Sequence, residues 1–380
     1  MDFLRAASIV IVVLGHWFIG MIYWNRGVIG TTSAIGLTPW MWLATWFLHV
    51  MPIFFFVGGF SNLVTYRSYE RKKLPISQFL KTRALRLVKP SLVLVAVWIP
   101  IQVVMHILDI GRPTGWLLRG VKPPGATVPF GPLWFLGVYL LVVLAAPFTI
   151  ALHRRFGLAV PALMIAGAFA ADIVGFAGGR PGVRWFNAAL VWLIPHQLGY
   201  FYADGKIQNL GRTRLAAMAL AGLGMLIALT NPIFGEYGRQ WFPGIGHYPK
   251  SLMGTDVEPI SNAFPPTLCL LAMGFWSIGL VLLARPTLTR WLERPGPWKA
   301  TIFINGIIMT LFLWHMTAFL VAVLMLWPLG FGRQTDTVAS WWWERPLWLG
   351  VPAAILAGIV LLLGRFERPA TASPKTGGST

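Results

Sequence analysis

Arg5 and His16 are the residues near the N-terminus whose types and spacing are suited to chemistry. They lie eleven positions apart. In an α-helix that is about three turns, so both side chains share one face, about 16 Å apart along the axis. Imidazole titrates near neutral pH and can take a proton from a hydroxyl, whereas guanidinium binds phosphate in a bidentate manner. The spacing predicts an anion-binding group and an acid–base group on one helix; a histidine that only caps a neighbouring carbonyl is the alternative.

Other polar residues interrupt apolar stretches, where an ionisable side chain is a functional candidate by default. His49 precedes a proline in its stretch, and proline in such a helix is tolerated where the backbone lines a cavity. His315 follows Trp314. Asp172 is suited to orienting a histidine or to accepting a hydrogen bond from a hydroxyl, the alternative being an ion pair with Arg180. We expect His49, His315 and Asp172 to line a substrate site.

A metal site is not expected. Zinc requires three or four convergent ligands, commonly in closely spaced pairs, and the sequence has neither His-x3-His nor His-Glu-x-x-His. The one cysteine, Cys269, lies in an apolar run and is expected to be an ordinary buried side chain.

Composition predicts an all-α, polytopic membrane helix bundle. Of the 380 residues, 56% are hydrophobic and only 11% are charged, against about 25% charged in soluble domains. A span needs about 20 apolar residues. We predict about ten spans, with ends uncertain by several residues, at 3–24, 40–65, 88–108, 131–151, 158–178, 185–203, 215–231, 263–284, 302–327 and 346–365.

The basic residues predict the orientation. With both termini cytoplasmic, 21 of the 31 lysines and arginines fall in cytoplasmic segments, as the positive-inside rule requires. This arrangement needs an even number of spans. The net charge of +19 is then explained by topology and by contacts with membrane lipids, and no nucleic-acid partner is expected.

The loops carry further predictions. In the basic cytoplasmic segment 66–90, the stretch "SQFLKTRALRL" is predicted to lie on the interface as an amphipathic helix. The outer segment 109–130 is rich in Gly and Pro, and the long aromatic outer loop 232–262 is expected to form an ordered cap. Residues 1–366 are predicted to form one transmembrane domain, and 367–380 a disordered cytoplasmic tail.

Five segments together carry a family resemblance: "MDFLRAASIVIVVLGHW", "HVMPIFFFVGGFSN", "FLKTRALRLVKP", "GPLWFLGVYLL" and "LFLWHM". In this order they resemble the acyltransferase-3 family of membrane acyltransferases, whose first helix has an Arg-x10-His pattern. The departure is modest, since "VGGF" stands where the family more often has "SGF".

The resemblance implies an acyltransferase in the bacterial cytoplasmic membrane. It would move an acyl group, such as acetyl, from cytoplasmic acyl-CoA as cosubstrate to a hydroxyl of a cell-envelope glycolipid or glycan. His16 matches the family's essential histidine, as general base or acyl carrier, and Arg5 matches its catalytic partner. Trp134, in the "LWFL" block, is expected to line the substrate site.

Arg83 and Arg86 are three residues apart, hence on one side of a helix, and we expect them to bind the CoA phosphates; contacts with lipid headgroups are the alternative. Alternatives also remain for the function. They are a secondary-metabolite sugar as acceptor, a transporter or flippase, and a non-catalytic scaffold. Acyl chain length and oligomeric state are not predicted.

Overall fold

A computed structural model describes residues 1–25, 28–107, 128–231, 248–254, 261–334 and 336–364. Two strands, β1 (Gly20–Asn25) and β2 (Val28–Ser33), form an antiparallel hairpin. Short 3₁₀ turns occur at Pro181–Phe186 and Trp327–Leu329. The helices are α1 (Asp2–Ile19), α2 (Ala34–Leu37), α3 (Met41–Leu48), α4 (Met51–Arg71), α5 (Ile76–Ile107), α6 (Leu133–Phe156), α7 (Ala159–Phe176), α8 (Asn187–Ala203), α9 (Arg212–Thr230), α10 (Leu268–Leu292), α11 (Pro295–Gly306), α12 (Ile308–Leu326), α13 (Ala339–Trp343) and α14 (Arg345–Leu363).

The predicted polytopic helix bundle is confirmed. Within the described ranges, nine candidate spans are long and apolar enough to cross a membrane, with α3 and α4 together counted as one. Helix α8 has 17 residues, about 26 Å of helix, at the short end of the spanning range. With α8 as a further crossing, the number is ten and even, as the charge distribution requires.

Small residues let α4 and α8 approach closely. A Cβ on Gly59 would lie 1.9 Å from the carbonyl oxygen of His196, and one on Gly199 would lie 2.2 Å from that of Phe56. Such close approach is how helices associate in lipid, where no hydrophobic force drives them together. The pair fixes α4, whose N-terminal half borders the two cavities described below.

Segments predicted to lie on the cytoplasmic side do lie at one end of the bundle. Arg154 at the end of α6 donates two 2.7 Å hydrogen bonds to Glu70 at the end of α4. Arg67 of α4 binds Asp204, which follows α8. The loops that the charge count groups together are therefore in direct contact.

The predicted first span, 3–24, is too long. Helix α1 ends at Ile19, and Gly20 leaves it in an extended conformation. The next residues pair as β1 with β2, because Ile22, Tyr23 and Trp24 are residue types that favour strands. His16 therefore lies in the last turn of α1, nearer the outer end of the span than the sequence suggested.

The predicted second span, 40–65, is not one helix. It consists of α3 and α4, which are separated at His49 (φ −80°, ψ 81°) and Val50, and α4 continues to Arg71. Pro52 lies in the first turn of α4, where its missing N–H costs nothing.

Two further predictions are corrected. The segment "SQFLKTRALRL" is not a separate interfacial helix, since α5 runs without a break from Ile76 through both Pro90 and Pro100. The predicted span 302–327 is split at Ile307 into α11 and α12. Its membrane-crossing part begins only at Ile308.

Some predictions fall on residues outside the described ranges: the tail 367–380, most of the segment 109–130, and positions 232–247 and 255–260 of the proposed cap. The described part of that cap is ordered. Leu252 N–H donates to Thr45 Oγ1 at 3.0 Å, and the Asn262 amide donates to the carbonyls of Pro249 and Ser251. This part of the cap is thereby attached to α3.

Candidate active site

Helix α1 borders two separate cavities with one face. Arg5 and Ile9 line the first, and Val12 and His16 line the second. These positions are three, four and seven residues apart, which is the spacing of a single helix face. Arg5 and His16, predicted to be about 16 Å apart along α1, thus border different cavities.

The first cavity, at the end assigned to the cytoplasm, contains three arginines. Its volume is about 70 Å³, and Arg5, Arg83 and Arg86 all border it. Among its described lining residues there is no Asp or Glu. Asp2 is 3.9 Å from Arg5, and its side chain is 61% exposed, so it neutralises little. The electrostatic potential in this cavity is therefore positive and favours an anion.

Arg83 is held in place by α4. Its guanidinium donates to the Ser61 carbonyl (2.8 Å), to Ser61 Oγ (3.0 Å) and to Thr65 Oγ1 (2.6 Å). These partners are neutral, so the positive charge stays uncompensated. Sequence reasoning missed Ser61 and Thr65; their spacing of four on one helix face was the available signal.

The second cavity has a volume of about 210 Å³, and His16, His49 and Trp134 border it. Most of its other lining residues are apolar. His16 is exposed although it lies inside the bundle, because its ring borders this space. Its Nδ1–H donates to the Val12 carbonyl at 2.8 Å, since a carbonyl can only accept. The tautomer is thereby determined, and Nε2 carries the free lone pair.

His315 lies beside His16, as neighbours on α12 and α1. The ring centroids are 5.1 Å apart at an interplanar angle of 41°. His315 Nδ1–H donates to the Phe312 carbonyl at 2.7 Å, and its Nε2 is buried with no partner among the described residues. His315 was predicted to line the substrate site, but it is fully buried and is not among the residues that border the cavity; its ring instead packs against that of His16.

His49 lies where the α3–α4 span is broken. Its ring borders the second cavity and is only 6% exposed. Neither ring nitrogen has a hydrogen-bond partner among the described residues. A buried imidazole with both nitrogens unused is costly, unless a ligand supplies the missing partner.

Nearly the whole chain is similar to one known protein family. The sequence profile of the acyltransferase domain, in its acyltransferase-3 type, matches residues 1–365. The chain belongs to the acyltransferase-3 family. No curated protein and no solved structure matches it.

As a member of the acyltransferase-3 family, the protein is a membrane acyltransferase, so both cavities can be considered in terms of acyl transfer. Arg5, Arg83 and Arg86 together give the first cavity its positive charge. Among the described residues, no group of three or more His, Cys, Asp or Glu side chains could hold a metal ion.

The outer end of α1 is held by contacts with two distant parts of this acyltransferase that sequence reasoning did not connect with it. Trp17 Nε1–H donates to the His315 carbonyl at 3.0 Å. Arg345 donates to the carbonyls of Phe18 (3.2 Å) and Gly20 (3.3 Å), at the helix end where a cation is favoured. The signal for Arg345 was a lone arginine at the start of an apolar run.

Asp172 does not border the second cavity, contrary to the prediction that it lines the substrate site. Its carboxylate accepts hydrogen bonds from Asn187 Nδ2 (2.9 Å), Tyr248 Oη (2.8 Å) and the Leu268 amide (3.1 Å). It bonds to no histidine among the described residues and makes no ion pair there with Arg180. Asp172 instead attaches Tyr248 and the start of α10 to α7. Burial, and then the Asp172 carboxylate, raise the pKa of Tyr248, so its phenol stays a donor.

A charged cluster closes the cytoplasmic end. Asp204 accepts from His153 Nε2 at 2.9 Å and from Arg67. Burial on its own would raise the pKa of the Asp204 carboxyl, but these two hydrogen bonds outweigh it and lower the pKa below its ordinary value. The cluster ties α4, α6 and α8 together outside the two cavities.

Proposed function

We propose that this membrane acyltransferase moves an acyl group from cytoplasmic acyl-CoA to a hydroxyl of a cell-envelope glycolipid or glycan in the bacterial cytoplasmic membrane. The observation that carries the proposal is the pair of cavities on one face of α1, one with three arginines and one with His16. The two ends of acyl-CoA require these two environments, since one end is polyanionic and the other is a thioester.

The donor is proposed on charge and distance. Three guanidiniums with no acid among the lining residues suit the phosphates of CoA, which arginine binds in bidentate fashion. From this cavity to His16 is about 16 Å along α1, comparable with an extended pantetheine arm. In this proposal the thioester reaches the second cavity while the nucleotide stays at the cytoplasmic mouth.

His16 is proposed to act as general base through Nε2. The acceptor hydroxyl oxygen attacks the thioester carbonyl carbon while its proton moves to Nε2. The tetrahedral intermediate then collapses, the C–S bond breaks, and the CoA thiolate takes the proton back from Nε2. The hydrogen bond from Nδ1–H to the Val12 carbonyl supports this role, because it orients the ring and stabilises the imidazolium.

An acyl-His16 intermediate is the alternative route, because the same lone pair on Nε2 can attack the thioester. Rapid quenching separates the two routes. A covalent route gives acylated His16, detectable by peptide mass spectrometry, when acyl-CoA is added without acceptor. The direct route gives none.

The test uses the purified protein in lipid nanodiscs with labelled acetyl-CoA and longer acyl-CoAs. His16→Ala is expected to lower turnover by about 10²–10⁴-fold, the usual contribution of a general base, while acyl-CoA still binds. Leu14→Ala is the matched control, because Leu14 is two residues away on α1, points away from the cavity and is 43% exposed. It is expected to keep full activity.

The donor site is tested separately with Arg83→Gln plus Arg86→Gln. We expect the KM for acyl-CoA to rise by at least tenfold, because a hydrogen bond to a charged group contributes about 1.5–3 kcal/mol. Lys81→Gln plus Lys89→Gln removes two charges from the same helix outside the cavity and controls for net charge. An unchanged KM in the double variant would disprove the CoA-phosphate role.

The same assays address the rival functions. Substrate movement across the membrane without acyl-CoA turnover would favour a transporter or flippase. Full complementation of a deletion strain by His16→Ala would favour a scaffold. Lipid and glycan mass spectrometry of that strain identifies the acceptor, since a lost acyl mass on an envelope glycan, or on a secondary-metabolite sugar, names it.

A further inference from the structure

The break between α3 and α4 brings two kinds of hydrogen-bond donor to the second cavity. One is the side chain of His49, and the other is the N-terminal end of α4, since Val50 and Met51 also border that cavity. His16 borders the same space from α1. His49, the start of α4 and His16 therefore border one volume of about 210 Å³.

The first turn of α4 has backbone N–H groups without an acceptor inside the helix. Val50 N–H donates to the Leu48 carbonyl, Phe54 N–H donates to the Val50 carbonyl, and Pro52 has no N–H. Helix geometry leaves the amides of Met51 and Ile53 without an intrahelical acceptor. No side chain caps this end. Helix α4 has 21 residues, so its N-terminus also carries the positive end of a substantial helix dipole.

His49 is the independent sign that something binds here. It is only 6% exposed, and it borders the cavity. Neither ring nitrogen has a hydrogen-bond partner among the described residues. A neutral imidazole has one N–H donor and one acceptor. A carbonyl oxygen that enters the cavity beside His16 would satisfy the donor.

We propose that the α3–α4 break is the oxyanion site of the transfer reaction, in which the His49 N–H and the amide of Met51, the residue with a free first-turn amide that borders the cavity, hold the thioester carbonyl oxygen. This rests on the proposed function. When the acceptor oxygen bonds to the carbonyl carbon, the C=O π electrons move to oxygen, and the new charge is held by these donors. When the C–S bond breaks, the pair returns to form the ester carbonyl and the charge leaves the site.

The broken span is thus part of the chemistry. A continuous helix from Met41 to Arg71 would use its amides internally and present none to the cavity. Donors that are preorganised where charge develops, in a site largely shielded from water, are the strongest contributors to acyl transfer, and the loss of one costs about 10²–10³ in kcat.

The direct test is infrared spectroscopy of the thioester carbonyl. Acetyl-CoA with a ¹³C carbonyl is bound to His16→Ala, which prevents turnover, and the bound band is isolated by difference from unlabelled acetyl-CoA. We expect it at lower frequency than in free acetyl-CoA, because hydrogen bonds weaken the C=O bond. Adding His49→Leu is expected to return it towards the free value, and adding His49→Gln, which keeps an N–H donor, to retain part of the shift.

Kinetics in the wild-type background give the second readout. His49→Leu is expected to lower kcat by about 10²-fold with a nearly unchanged KM for acetyl-CoA, and His49→Gln to recover part of that loss. Leu43→Ala, at an exposed position of α3 that does not border the cavity, is the matched control with full activity.

Different outcomes would disprove the oxyanion site and the proposed acyl-CoA-dependent function. If acetyl-CoA binds and is turned over but the carbonyl band is the same with and without His49→Leu, the oxyanion site is disproved and the proposed function stands. If the wild type neither binds nor turns over any acyl-CoA, the proposed function fails, and the oxyanion site fails with it.

Discussion

The two cavities along α1 differ in what holds their polar groups. In the first, Arg83 is fixed by hydrogen bonds to Ser61 and Thr65, so its position is set while its charge remains available. In the second, His16 has only the Val12 carbonyl, and His49 has no partner among the described residues. The first cavity therefore has a fixed positive charge, which suits the proposed anion site, and the polar groups of the second have fewer hydrogen-bond partners among the described residues, which suits the proposed reaction site.

This difference changes the interpretation of Arg5. The sequence pairs it with His16 as a catalytic residue, whereas the structure places it beside Arg83 and Arg86 at the other end of α1. This position is the basis for the proposal that Arg5 binds the cosubstrate. The two residues lie close in sequence because one helix, α1, borders both cavities.

Arg5→Gln tests the difference between the two cavities and is expected to have the largest effect. We expect the KM for acyl-CoA to rise roughly tenfold or more, because a charge-assisted hydrogen bond contributes about 1.5–3 kcal/mol and each 1.4 kcal/mol is tenfold. The kcat at saturation should change by less than a few-fold. Steady-state kinetics beside Lys81→Gln measure both; a large fall in kcat at constant KM would instead make Arg5 part of the reaction centre.

An intermediate effect is expected from Arg345→Met, which removes the donors to the carbonyls at the end of α1. We expect kcat to fall several-fold to tenfold, because His16 lies one turn from that end, while the KM for acyl-CoA stays constant. Arg345→Lys should recover part of kcat, since it keeps a cation at the helix C-terminus.

The control for Arg345 is Arg333→Met, at an exposed arginine that donates to the Trp327 carbonyl. It should leave kcat unchanged. If Arg345→Met and Arg333→Met behave alike, Arg345 does not position His16.

The smallest effect lies outside both cavities, at Asp204. Its pKa is lowered in the folded protein, so its charged form contributes stability that is present above the ordinary Asp pKa of about 3.9 and is lost as pH falls through the lowered value. Asp204→Asn should therefore be less stable than wild type at pH 7, by roughly 1 kcal/mol for a partly exposed site. The gap should close as the pH falls below about 4.

Thermal unfolding in nanodiscs from pH 7 to pH 3 measures this gap. Transfer activity per folded molecule should be unchanged, because Asp204 borders neither cavity. A gap that stays constant over this range would show that the carboxylate charge does not stabilise the cytoplasmic end.

Local pattern predicted several features well. The family, the helix bundle and the common helix face of Arg5 and His16 all follow from motifs and period. The broken second span could not be predicted so directly. "HVMPIFFF" is apolar enough for a continuous helix, and Pro52, which cannot donate to the Leu48 carbonyl, favours a break there. The sequence did not show that α3 would then be attached to the cap segment through Thr45.

Asp172 shows why type and depth do not identify a site residue. A buried acid near the outer end of a span is a sound functional candidate, yet it is satisfied by Asn187, Tyr248 and Leu268. Two of these partners lie more than 70 positions away in sequence. No local pattern reveals such contacts.

By itself, the sequence determined that this chain crosses a membrane many times, that it belongs to a family of acyltransferases, and that an arginine and a histidine share the first helix. These depend on hydrophobicity, on motifs and on helical period, all of which are local. Only the tertiary structure decided that Arg5 joins Arg83 and Arg86, that His315 stands behind His16, and that His49 opens onto the same cavity. These neighbours are 33 to 299 positions apart in the sequence, and the Trp17–His315 bond spans 298 positions, so only the packing of the whole bundle brings them together.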